Sequence, residues 1–393
     1  MPANNRFAHQ NYPTQPVLAP RLFTLRCVDP VAGFAAELHT RLRIGRVIVV
    51  HGTFVGDDPF AVAETLKSLG SGVPLIGEQL EKMAEMIQEN TQPATNSVIQ
   101  DMGTYTETFR DQFQQLVGDD PVVELLKPTW SSQNHHFARA DLAVRLIHQM
   151  LIRPPMPGQR ILLWGHSHAG NAFAMLTNLL ANERSSVDQF FAAAGEQTDP
   201  HWKVVRNALR SVSGPHPLAQ NVVVVAFGTP VRYGWDVNGC VQLIHVLHHR
   251  THDPATPFLT KPLFPPYAPG DVINATWGDW IQAFAVAGTD VVSAATLDEN
   301  ERFVALLERN LANPDHDLDT RFIPTARLRD TCYRWKQGTR CHTDGVNLLV
   351  NYQPSGETVL GLPLESTVFG HGVATTVKWL PAHLRLVLDF LSQ

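Results

Sequence analysis

The segment Arg160 to Gly170 reads RILLWGHSHAG, and the helical run HAGNAFAMLTNLLAN starts inside it. A buried strand that turns into a helix without a spacer points to a layered α/β sheet. Ser167 stands at the joint, with Gly165 two residues before it and Ala169 two residues after. A strained strand-to-helix turn needs small residues at those places so that neighbouring backbones can approach. The pattern is G-x-S-x-A followed by Gly170, one methyl group away from G-x-S-x-G. The plain alternative is a serine that merely caps the helix beginning at His168.

The other strands follow the same grammar. RIGRVIVV at 43–50 is a β-branched run of the kind buried on both faces in a parallel sheet, and His51-Gly52-Thr53 stands at its end. Residues 122–126, 221–227, 241–247 and 345–353 read as further strands. SSQNHHFARADLAVRLIHQML reads as a helix with Ser or Asn available as its cap, and PAHLRLVLDFLSQ as a closing helix with Pro381 in its first turn. Residues 1–40, rich in Pro, Asn and Gln, read as an arm lying over the surface rather than a core element. Residues 57–120 read as a helical insertion with an apolar stripe at Ile76, Leu80, Met83 and Ile87, and residues 254–343 as a second insertion. A single domain spanning 1–393 is expected.

Composition narrows the function classes. The apolar fraction is 44%, the charged fraction 17% and the formal net charge −6, so no basic footprint for nucleic acid is present. The opening residues carry no Sec-type signal and no stretch has the length of a membrane span, so a cytoplasmic protein is the expectation, with signal-independent export left open. Cys332 and Cys341 lack metal-type spacing and are either free thiols or the ends of a short hairpin bridge. His245, His248, His249 and His252 invite a metal reading. A strand sends His248 and His249 to opposite faces, however, and no HExxH is present, so no metal and no other cofactor is expected. His135, His136 and His166 read as structural.

A serine hydroxyl is a weak nucleophile near neutral pH. It needs a base within hydrogen-bond reach, itself oriented by a carboxylate, and in this kind of sheet the chain order is Ser, acid, His. His371, between Gly370 and Gly372 and ahead of the closing helix, is the candidate base; His383 reads as a helix-surface residue and His342 is misplaced before the last strand. Asp253, a few residues past the strand at 241–247, is the candidate acid, with Asp344 its rival and Asp236 a distant third. The oxyanion of an attacked ester would fall to the backbone amides of His168 and Thr53, with Gly52 allowing close approach.

These residues carry a resemblance. His51-Gly52-Thr53 and GHSHAG resemble bacterial lipases of the α/β-hydrolase superfamily. FGTPVRYG at 227–234, with Asp253-Pro254 and PLFPP, resembles the segment around the acid in class 3 lipases. CHTDGVNLLV resembles bacterial lipases in which an Asp-Gly pair carries the acid, which keeps Asp344 in play. The resemblance covers about 43–56, 160–180, 221–266 and 345–391, and neither insertion. It implies an α/β-hydrolase fold with a mostly parallel central sheet flanked by helices, and a lipase or esterase acting on acyl lipids through a Ser167, Asp253, His371 set. Two further readings stay open: an acyltransferase or thioesterase using the same groups, and a non-catalytic scaffold binding a lipid or a protein. The insertion at 57–120 either covers an acyl pocket as a lid, with transient contact to a lipid surface, or packs on the core.

Overall fold

Among the described residues the strands form a seven-stranded sheet in which every pairing is parallel. The computed structural model describes residues 7, 16–28, 34–52, 105–118, 123–250, 270–271, 274–285, 296–307, 340–359 and 361–392. The strands are β1 (Arg21–Leu25), β2 (Ile44–Val50), β3 (Glu124–Leu126), β4 (Arg160–His166), β5 (Val222–Phe227), β6 (Gln242–His248) and β7 (Val346–Tyr352). Their spatial order is β1-β7-β6-β5-β4-β2-β3.

The strand residues alternate between two cores, as the two-residue period of a strand requires. Val47, Val49, Leu162, Trp164, Val223, Val225 and Phe227 face one core, which they share with helices α1 (Glu107–Val117) and α8 (Leu380–Leu391). Ile48, Val50, Ile161, Leu163, Val222, Val224 and Ala226 face the other. That second face is covered by α2 (His136–Ile152), α3 (His168–Ala181), α4 (Arg184–Ala194) and α5 (Pro200–Arg210). Burial on both faces explains why these strands are near-continuous apolar runs. The chain is an α/β protein. Helices α6 (Trp280–Ala285) and α7 (Leu297–Leu307) complete the described helices used below.

The sheet order fixes where a ligand would sit. β2 leads through α1 to β3 on one side, whereas β4 leads through α3 to β5 on the other, so the connections leave β2 and β4 in opposite directions. Such a switch point opens a crevice at the C-terminal ends of the two strands, and Gly52 and Ser167 stand there.

Several expectations change. The arm at 1–40 contributes an edge strand: β1 pairs with β7 in the register Arg21 to Leu348, and Phe7 is buried and stacked on Phe190 with centroids 5.1 Å apart. RLFTL is short and half-exposed, so it lacks the apolar run that marks the inner strands. The end of the 57–120 block is a core helix: Phe109, Phe113, Leu116 and Val117 of α1 are buried, and Phe113 meets Trp164 edge-on at 5.4 Å. The stripe at Ile76, Leu80, Met83 and Ile87 lies outside the described residues. Helix α2 is capped by neither Ser nor Asn; the His135 ring accepts from Ala138 N at 3.1 Å. His383 is no surface residue: it is fully buried and its Nε2 pairs with the Tyr352 hydroxyl at 2.8 Å. Cys341 is an unbridged, buried thiol. Among the described residues no helix is long and apolar enough to cross a membrane.

Candidate functional site

Ser167 ends β4 and heads α3 with φ 56° and ψ −129°, a left-handed conformation that a non-glycine residue adopts only when its surroundings impose it. Those surroundings are visible. Ser167 N donates to Phe227 O of β5 at 2.8 Å, and Gly170 packs so tightly on Thr229 that any Cβ there would meet the Thr229 side chain. The methyl of Ala169 is accommodated, because Gly170 meets the steric demand on that side of the turn.

Gly52, at the end of β2, lies against the serine. A Cβ at this position would stand 2.7 Å from Ser167 Cβ and 3.3 Å from its Oγ. The turn is pinned from behind: His51 Nδ1 donates to Gly52 O at 2.9 Å, and Trp130 Nε1 donates to His51 O at 3.2 Å. Thr53 lies outside the described residues. His168 is the first residue of α3, where helical amides have no partner within their own helix.

His371 comes from the far end of the chain to lie against His166, the residue before Ser167. It follows three residues in the left-handed region: Val368 (φ 48°), Phe369 (φ 56°) and Gly370 (φ 84°). A β-branched residue there is an outlier, so the loop must be held, and two buried histidines hold it. His166 Nε2 donates to His371 O at 3.1 Å, with the two rings 4.3 Å apart, and His248 Nδ1 donates to Gly370 O at 2.8 Å. His166 and His248 therefore serve as backbone staples. Burial pushes His248 down to about 3, with Arg250 adding to the effect, which keeps its ring neutral as a staple needs. His245 Nε2 likewise donates to Asp344 O at 3.0 Å, and its ring stacks on His342 at 4.0 Å. His252 lies outside the described residues.

The carboxylate on His371 is Asp279. His371 Nδ1 donates to Asp279 Oδ2 at 2.7 Å, and both side chains are buried. This bond places a proton on Nδ1 and directs any base chemistry of the ring to Nε2. Asp279 Oδ1 accepts from Gln282 N at 2.7 Å, capping α6. Burial raises the Asp279 pKa. The charge of His371, its hydrogen bond, the Gln282 amide and Arg340 outweigh that, so the carboxyl ends below its ordinary value. Gly228, after β5, backs onto the pair: a Cβ there would stand 2.8 Å from Asp279 Oδ2 and 3.2 Å from His371 Nδ1.

The three sequence candidates for the acid fare differently. Asp253 lies outside the described residues. Asp344 precedes β7 at the N-terminal edge of the sheet, the opposite end from Ser167, and burial with the nearby Asp236 raises its pKa. Asp236 caps a turn by accepting from Asn238 N at 3.0 Å. The signal for Asp279 was present in GDWIQAF: an aspartate after a glycine, with glutamine three residues on, is a helix-start pattern. It sits in the 254–343 stretch, which is thus part of the site.

A different cluster has ligand-like geometry: Asp141, Asp199 and His201 present atoms within 4.8 Å of one another. Arg145 bridges both aspartates there, and Trp202 Nε1 donates to Asp141, so the group reads as an ion-pair network. Compared with protein-family models, with curated proteins and with solved structures, the chain matches none.

Proposed function

We propose that the chain is a serine hydrolase of the α/β-hydrolase type that cleaves carboxylic esters through an acyl-enzyme. The observation that carries this reading is the buried His371 to Asp279 hydrogen bond set beside a left-handed serine at a sheet switch point. In this reading Ser167 attacks the ester carbonyl while His371 Nε2 takes its proton. Asp279 holds the ring in the required tautomer and stabilises the imidazolium. The oxyanion meets the amide of His168, with Thr53 as the expected second donor; a single donor of this kind is worth about 3–4 kcal/mol. The alcohol leaves with the proton returned by His371, and water then releases the acid by the same relay. No step calls for a cofactor. Acyl lipids are the substrate class the lipase-like motifs favour.

Labelling with a fluorophosphonate probe tests this directly. The wild-type chain is expected to label and to hydrolyse nitrophenyl esters, and Ser167→Ala to do neither. An unlabelled wild-type protein overturns the reading in favour of a non-catalytic scaffold. A strong preference for acetate over long acyl chains removes the lipase assignment, and transfer to an added alcohol in competition with water points to an acyltransferase.

A further inference from the structure

Arg340 is buried, and its charge has to be accommodated there. Its guanidinium reaches the segment that bears Asp279 at several points. Nη1 donates to Trp277 O at 2.7 Å, and Nη2 donates to Asp279 O at 2.7 Å and to His248 O at 3.3 Å. Gln282, whose amide caps onto Asp279, returns the contact by donating from Nε2 to Arg340 O at 2.9 Å. A planar fork is suited to holding several carbonyls at once, which the point charge of a lysine is not.

We infer that Arg340 is the positioning residue for the acid: by tying the carbonyls of Trp277, His248 and Asp279 together it fixes the 277–282 segment against the end of β6 and so holds the Asp279 carboxylate against His371. The inference rests on the reading of Asp279 and His371 as the acid and base of the hydrolase. Arg340 touches no reacting atom and acts through Asp279. An isolated buried carboxylate would be driven to neutrality, and a neutral acid at 279 would lose its grip on the imidazolium. Among the described residues, the charged and titratable groups facing Asp279 are His371 from the loop after β7, Arg340 from just before β7, His248 from β6 and Tyr352 from the end of β7. His248 and Tyr352 are held neutral by burial, so in this set Arg340 brings a positive charge that does not depend on the protonation of His371.

The test compares Arg340→Met and Arg340→Lys with wild type in the pH profile of nitrophenyl ester kcat/KM. It also follows the low-field proton resonance of the His371 Nδ1 to carboxylate bond, assigned by its loss in Asp279→Asn. Arg340→Met is expected to lower kcat/KM by about 10- to 100-fold, the usual result of misplacing a catalytic group. It should also move the acid limb to higher pH and weaken or abolish the resonance; Arg340→Lys should fall between. A purely structural arginine would lower thermal stability while leaving the acid limb and the resonance in place, and that outcome overturns the inference. Should Arg340→Met not fold, Arg340→Lys carries the test, and a wild-type limb and resonance in that variant overturns it. Failure of the hydrolase reading is separate: the wild-type chain then takes no probe, and the resonance in the Arg340 variants still decides whether Arg340 positions the pair.

Discussion

At the scale of single residues, the site depends on one carboxylate and one ring being held where neither is free to drift. Asp279→Asn replaces the acceptor on His371 Nδ1 with a group that can favour the wrong tautomer, and is expected to lower kcat by about 10³- to 10⁴-fold. Asp344→Asn, at the opposite sheet edge, should leave kcat within a factor of a few; steady-state kinetics on both variants check the assignment together. The turn at Ser167 and the loop bearing His371 were legible in the sequence because the signals are local: strand, small residues and helix around one, a glycine-flanked loop before the closing helix around the other. Asp279 was not, because its partner lies 92 residues away and its own neighbourhood reads only as an ordinary helix start. The same holds for Arg340, whose contacts to Asp279 span 61 residues and leave no periodic trace.

Among the elements, α1 lies at the end of the 57–120 block that reads as helical, and a helical reading alone does not say which core an apolar face meets. The structure puts Phe109 and Phe113 beneath the sheet, with Tyr105 just ahead of them beside His166 at 6.3 Å. Phe113→Ala is therefore expected to destabilise the fold by about 3–5 kcal/mol, as for a large aromatic removed from a core. Urea unfolding measures this; a cost under about 1 kcal/mol would mean that α1 is a loosely attached cover. The inner strands were legible because double-sided burial demands unbroken apolar runs, whereas β1, exposed along much of its length, carried no such mark.

For the molecule as a whole, several histidines that burial holds neutral set the pH response. Burial lowers His383 to about 3 and His342 to about 4, and lowers His248 to about 3 with help from Arg250. In the unfolded chain each titrates near 6.5, so below that pH the unfolded state binds more protons than the native one. Stability is then full above about pH 6.5 and falls as pH drops, by roughly 1.4 kcal/mol per pH unit for each such histidine. Asp279, whose pKa is depressed, adds a loss with the same sign at lower pH. The urea midpoint should decline steeply between pH 6.5 and 5, and His383→Gln should flatten that decline; a midpoint constant across this range would contradict it. The overall parallel sheet was readable from spacing alone. The order of its strands was not, since it depends on β1 docking beside β7.

That docking has a temporal side. Arg21 emerges from the ribosome more than 300 residues ahead of its partner Leu348, which at about 5–20 residues per second is a delay of roughly 15–65 s. Throughout that interval β1 lacks the strand it pairs with, and the sheet can be sealed along this flank only once β7 has been made.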